Sequence, residues 1–203
     1  MDTKPRTRRR AETRQRLLDA AREVFAREGF GRATVEQVCE AAGFTRGAFY
    51  SNFTSLDELF LAMWQHESDR LVVGLRELLG ATPPEFHDLS EAVDHVLGAI
   101  PVDEEWFRIT AEFTAHALRT PGLPRVMAAR ERAIQQALLP VLDDLLSRIG
   151  RRITDRDALG RALVAVHDGT LAQIAIEPRS RDVRRHRAEL FTLLLEHYTI
   201  ATD

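Results

Sequence analysis

The chain has one cysteine in 203 residues. A disulfide framework is thereby excluded, and a reducing compartment fits. No apolar run approaches the roughly 20 residues that a membrane-spanning helix needs. The basic N-terminus, MDTKPRTRRR, lacks the apolar stretch of a secretory signal. The expectation is a cytoplasmic protein with no membrane partner. Low-complexity tracts and internal repeats are missing. So is any extended alternation of apolar and polar residues, the period of a half-buried strand, and the fold should therefore be all-α. Catalytic signatures are also missing: there is no Gly-x-Ser-x-Gly elbow, no His-Glu-x-x-His and no phosphate loop. The seven histidines are scattered. Glu91 and His95 lie one helical turn apart, with His87 two turns before His95, which is too sparse for a metal. His167 and Asp168 are sequence neighbours and point in different directions on a helix. No catalytic residue, metal or cofactor is expected.

What is present is a soluble composition, 44% hydrophobic and 29% charged. The length suits one large domain, or a small one joined to a larger one. The net charge of −3 is unevenly spread. Residues 1–50 hold 11 Lys and Arg against 7 Asp and Glu, a balance of +4; the remainder, −3 less +4, carries −7. A basic head on an acidic body points to nucleic acid at one end. Lys4, Arg6, Arg8, Arg9 and Arg10 read as a mobile arm able to touch phosphates or a minor groove.

The most informative stretch is TVEQVCEAAGFTRGAFYSNF, Thr34 to Phe53. Thr34 and Gln37 form a capping box. Val35, Val38, Cys39 and Ala42 recur at helical spacing, and Gly43 supplies the left-handed residue after a helix. Cys39 reads as a small buried spacer where two helices approach. Thr45 is a second N-cap, opening a second helix. Helix, glycine turn and helix make a helix-turn-helix, whose second helix fits a DNA major groove. The flanks extend the pattern: LLDAAREVFAREGF, Leu17 to Phe30, then Gly31, AAGFTRGAFYSNF, and SLDELF, Ser55 to Phe60. From Leu17 to Phe60 the chain resembles the DNA-binding domain of the TetR (tetracycline repressor) family of transcriptional regulators. Beyond Trp64 the resemblance is architectural. It implies a DNA-binding domain over residues 1–54 and a ligand-binding and dimerisation domain over 55–203. Leu56 stands where the family pattern usually has a Lys that donates to a phosphate.

Helix signals continue along the body. Ser55 and Glu58 cap a long helix reaching about Gly80, and ATPPEF, Ala81 to Phe86, breaks it. Asp88 with Glu91 opens a helix that Pro101 stops. A helix from about Asp103 to Arg119 and one reaching Ile149 follow, the latter holding Pro140, which should kink it. Thr154 with Asp157 opens a helix to about Ile176, and the last covers about Asp182 to Ile200. About nine helices result, three in the head and six in the body.

Thr45, Arg46, Gly47, Ala48, Tyr50, Ser51 and Asn52 form the exposed set of the second helix, while Phe44, Phe49 and Phe53 should be core. Arg46 is the candidate for a base edge, because its planar fork matches guanine O6 and N7. Gly47 lets the backbone approach DNA closely. Tyr50 and Asn52 match family positions that contact phosphates, and Thr34 sits at a helix N-terminus that favours an anion. In the body, Trp106, Phe113, His116, Met127 and His167, with Trp64 on the long helix, are candidate lining of an apolar cavity; simple core packing is the other reading of each. Leu163 and Leu171, with Phe191, Leu194 and Leu195, are the candidate dimer seam. The function expected is a homodimeric regulator, a repressor, that binds a (pseudo)palindromic double-stranded DNA operator and is released by a small apolar or aromatic effector. An architectural DNA-binding protein without ligand, or an all-α enzyme, are the alternatives.

Overall fold

The computed structural model describes residues 4–80, 86–100 and 102–202. Among them are nine helices: α1 (Lys4–Glu28), α2 (Val35–Ala42), α3 (Arg46–Tyr50), α4 (Leu56–Gly80), α5 (Leu89–Ala99), α6 (Glu104–Ala117), α7 (Leu123–Arg148), α8 (Arg156–Ile176) and α9 (Arg181–Tyr198). The all-α expectation holds, with one small addition. Strand β1 (Arg151–Ile153) pairs antiparallel with β2 (Thr199–Ala201), Arg152 facing Ile200. The last helix therefore ends at Tyr198 rather than Ile200. Three-residue strands are too short to show a period of two. The ladder is extended by the Thr154 N–H and hydroxyl, both donating to the Tyr198 carbonyl at 2.9 Å. Thr154 is thus occupied, and the N-cap of α8 is Asp155, whose carboxylate accepts from the Ala158 N–H.

Helix α1 begins at Lys4, so the expected N-terminal arm is helical from that residue onward. The break over Ala81–Glu85 and the stop at Pro101 lie outside the described residues. The caps of α4 and α5 follow the sequence: Ser55 Oγ accepts from Glu58 N–H at 3.1 Å, and Asp88 accepts from Glu91 N–H at 2.9 Å. Glu58 reaches back one residue beyond the cap, to the Thr54 N–H and hydroxyl, and these bonds hold its carboxyl pKa below the usual value. Helix α7 runs continuously through Pro140, which deprives the Gln136 carbonyl of its donor.

The chain divides into two compact units: Met1–Glu67 with Arg108–Pro124, and Ser68–Phe107 with Arg125–Asp203. The first turns of α4 and the C-terminal half of α6 are part of the unit that holds the helix-turn-helix. There Phe30 packs edge-on against Phe113, with ring centroids 4.9 Å apart, and Phe60 stacks on Phe113 at 3.8 Å. Glu112 accepts the Phe30 N–H at 2.7 Å. Gly29 makes that approach possible: its φ is +81°, and a Cβ there would stand 2.7 Å from the Glu112 carboxylate. The second unit has two apolar clusters. One is built on Val72, Ala92, Val141 and Leu145, the other on Leu89, Val93, Leu146, Leu159 and Leu195.

Candidate nucleic-acid interface

The helix-turn-helix is held by local chemistry. Thr34 Oγ1 accepts from Gln37 N–H, and the Gln37 side chain accepts from the Thr34 N–H at 2.8 Å, closing the capping box. At the other end of α2, Gly43 has φ +68°, its N–H bonds the Glu40 carbonyl, and Phe44 N–H bonds the Cys39 carbonyl, the pattern of a Schellman turn. Cys39 is 4% exposed, and burial first, then the Glu36 carboxylate, raises its thiol pKa. It remains a thiol and a spacer. Thr45 caps α3 by accepting from Ala48 N–H at 3.3 Å.

On α3 the inward and outward faces separate cleanly. Phe49 and Phe53 are buried. Thr45, Arg46, Gly47, Tyr50 and Ser51 are exposed, as is Thr34, while Ala48 and Asn52 are half-buried. The Asn52 Nδ2 donates to the Ala48 carbonyl at 2.8 Å. Arg46 Nη1 donates to Glu36 Oε1 at 2.7 Å, and its guanidinium lies 5.8 Å from the Tyr50 ring centroid. Both Tyr50 first and Glu36 second favour the charged guanidinium and raise its pKa.

Phe44 was expected in the core; it is half-buried beneath Arg16, whose guanidinium lies 4.6 Å from its ring. Arg16 Nη2 also donates to the Ala42 carbonyl at 2.8 Å, an acceptor that α2 leaves open. Arg14 covers the Phe53 ring at 4.4 Å, and Arg10 donates to the Ser51 carbonyl at 3.2 Å. The roles of Arg14 and Arg16 are not legible in the sequence. Their partners are tens of residues away in sequence and give no local signal.

Gly47 separates folding from binding. A Cβ there would meet only Thr45 Oγ1, at 3.7 Å, an ordinary contact. Glycine inside a helix costs about 0.5–1 kcal/mol relative to alanine. Gly47→Ala should therefore raise the stability of the free protein by about that amount, and, if the exposed face of α3 meets DNA as the sequence predicts, weaken operator binding, because the added methyl stands on that face. Chemical denaturation and operator titration of one variant measure both signs. Unchanged operator affinity would remove Gly47 from the interface.

Residues 17–63 match the family of bacterial regulatory proteins, tetR family, and residues 87–198 match the C-terminal part of BetI-type transcriptional repressors. The chain belongs to the TetR family. It is a helix-turn-helix transcriptional regulator. The transcriptional activator FasR of Mycolicibacterium smegmatis is 32% identical over 139 residues, covering 68% of this chain and 61% of FasR, less than two thirds of that relative's length. Among solved TetR-like structures, Salmonella enterica GusR superposes with a TM-score of 0.69 at 23% identity, covering 91% of this chain and 96% of GusR. FadR from Bacillus subtilis, solved in complex with stearoyl-CoA, superposes with a TM-score of 0.64 at 18% identity, covering 89% of this chain and 96% of FadR. Both likenesses are of fold.

The six candidate effector residues fall into two sets in this TetR-family chain. Trp64, Phe113 and His116 belong to the first unit, and Trp106, Met127 and His167 to the second. Phe113 is fully buried against Phe60 and Phe30. His116 Nε2 bonds Asp57 Oδ1 at 3.0 Å. Met127 is 9% exposed. His167 Nδ1 accepts from Arg187 Nη2 at 3.1 Å, and Arg187 Nη1 donates to Thr170 Oγ1 at 2.8 Å. Burial first, then the Arg187 charge, lower the His167 pKa to about 4, so its ring is neutral near pH 7.

Of the candidate dimer residues, Leu195 is 4% exposed and sits in a core cluster of its own chain. Leu163 and Phe191 are partly buried against that cluster, and Leu171 and Leu194 are half-buried. On α8 and α9 the exposed large apolar residues are Ile176 at 78% and Leu193 at 59% exposure. Ala165, Gly169, Ala172 and Ile176 recur at spacings of four, three and four, one face of α8. Among the described residues no helix is long and apolar enough to cross a membrane.

Proposed function

We propose that the chain acts as a homodimeric repressor, reading a two-fold DNA operator through α3 and releasing it when a small apolar or aromatic molecule binds the body. The observation that carries the DNA reading is the outward face of α3. Arg46, Gly47 and Tyr50 stand in solvent on a helix whose other face is fixed by Phe49, with Phe53 buried just beyond its end. None of the three outward residues is needed to bury that face. Arg46 reads a base, Gly47 gives close backbone approach, and Thr34, Thr45, Tyr50 and Asn52 meet the phosphate backbone. Ala48 fills the half-buried position between them.

Support for the dimer comes from α8 and α9, which leave Leu193, Ile176 and the small residues Ala165 and Gly169 uncovered. Two helices from each copy would form the seam, with Leu163, Leu171, Phe191 and Leu194 at its edges. A two-fold protein suits a two-fold operator.

Support for an effector comes from the stearoyl-CoA complex of FadR, a protein of this fold. Within this chain, Trp106, Met127 and the neutral His167 are the residues of the second unit best suited to an apolar molecule. Helices α4 and α6 each contribute residues to both units. A shift of either helix on effector binding would reposition the first unit, including Trp64 and His116. The effector must bind the released state more tightly than the DNA-bound state. A coupling of about 1–3 kcal/mol weakens operator binding by about 5–150-fold, and operator must weaken effector binding by the same factor. A compound found by thermal shift, titrated with and without operator, tests this reciprocity. Equal affinities in the two titrations would leave a DNA-binding protein without a switch.

A further inference from the structure

Glu36 carries a negative charge on a surface meant for a polyanion, and it lies against the residue assigned to a base. Its Oε1 accepts from Arg46 Nη1 at 2.7 Å, with the two side chains 57% and 62% exposed. Such an exposed pair adds little to folding. Its geometric effect is larger. Glu36 is the second residue of α2 and Arg46 the first of α3, and both helices are fixed by the caps at Thr34, Gly43 and Thr45. Arg46 is also flanked by the Tyr50 ring. A long side chain is therefore held from two sides. With one Nη1 proton engaged, the edge formed by Nε and Nη2 remains a complete fork for guanine O6 and N7.

We propose that Glu36 is a specificity-determining positioning residue. It holds Arg46 in the rotamer that reads a base, and its charge offsets the attraction of Arg46 to phosphates, so that Arg46 strengthens binding to a matched base pair and little else. The proposal rests on the reading that Arg46 contacts a base. Pre-ordering the arginine reduces the rotamer freedom lost on binding, and the neighbouring carboxylate reduces counterion release on random DNA.

The test uses the full-length protein and a duplex selected by it from a randomised pool. Wild type, Glu36→Gln, Arg46→Ala and the double variant are titrated at several salt concentrations. The duplexes are the selected one, single-base-pair changes of it, and unselected DNA. Glu36→Gln should bind unselected DNA more tightly, with a salt slope steeper by about 0.9. Its preference for selected over unselected DNA should fall about 3–10-fold. In the Arg46→Ala background the same change should leave base preference unaltered. Uniform weakening on every duplex would give Glu36 a purely structural role, and uniform tightening would make it a simple repelling charge; either result overturns the proposal. If Arg46→Ala relaxes base preference and Glu36→Gln does not, Glu36 alone is misassigned. If Arg46→Ala changes no preference, the Arg46 reading fails first and the proposal with it.

Discussion

Leu193→Glu should give a folded monomer at micromolar concentration, with operator affinity lowered by about 10²–10⁴-fold. The side chain is 59% exposed in the single chain, so the new carboxylate stays in water when the protein is alone. Surface changes of this kind usually alter stability by about 0.5 kcal/mol or less. In the dimer the same carboxylate would be pressed into an apolar seam, where burying an unpaired charge is expensive. Each half-site would then be bound singly, without the effective concentration that the second head supplies. Leu195→Glu, two residues on, should behave differently. Leu195 packs with Leu89, Val93, Leu146 and Leu159, so a charge there destabilises the second unit itself. Sedimentation and circular dichroism of both variants separate the two effects. A Leu193→Glu protein that stays dimeric at that concentration would place the interface elsewhere.

Phe113→Ala should destabilise the first unit by about 3–5 kcal/mol, the range for removing a buried phenylalanine. The ring is fully buried, stacked on Phe60 and edge-on to Phe30. A cavity would replace these contacts beside the Phe30 N–H and its Glu112 acceptor, where α6 meets the loop after α1. Operator binding should weaken as a consequence of this instability. A ring that lined an effector site would give the other result, with small change in denaturation and a clear change in effector affinity. Urea denaturation of the variant decides between them.

The comparison between sequence and structure divides by distance along the chain. The Thr34–Gln37 box, the turn at Gly43 and the Thr45 cap are contacts within a few residues, and each was legible as local chemistry. So was the burial of Phe49 and Phe53, which follows from helical spacing. The bond from Phe30 to Glu112 spans 82 residues and leaves no periodic trace. For the same reason the place of the α6 C-terminal half beside the helix-turn-helix was not legible, nor was the packing of Phe113 on Phe60 and Phe30. The β1–β2 pair joins Arg151 to Ala201 and is too short to show alternation. The burial of Leu195 within its own chain was not legible for another reason. Apolar residues occupy several faces of α9, and periodicity alone does not say which face meets its own chain. The Glu36–Arg46 pair is only ten positions apart, yet the turn between the helices decides whether the side chains meet.

The central claim is that this TetR-family protein reads a two-fold DNA site with two copies of α3. The most direct measurement is selection from a randomised duplex pool by the purified protein, followed by sequencing of the bound fraction. The account predicts an inverted repeat whose half-sites are centred about one helical turn, or a multiple of it, apart. A bound fraction with no enriched sequence, or with a single asymmetric site, would contradict it.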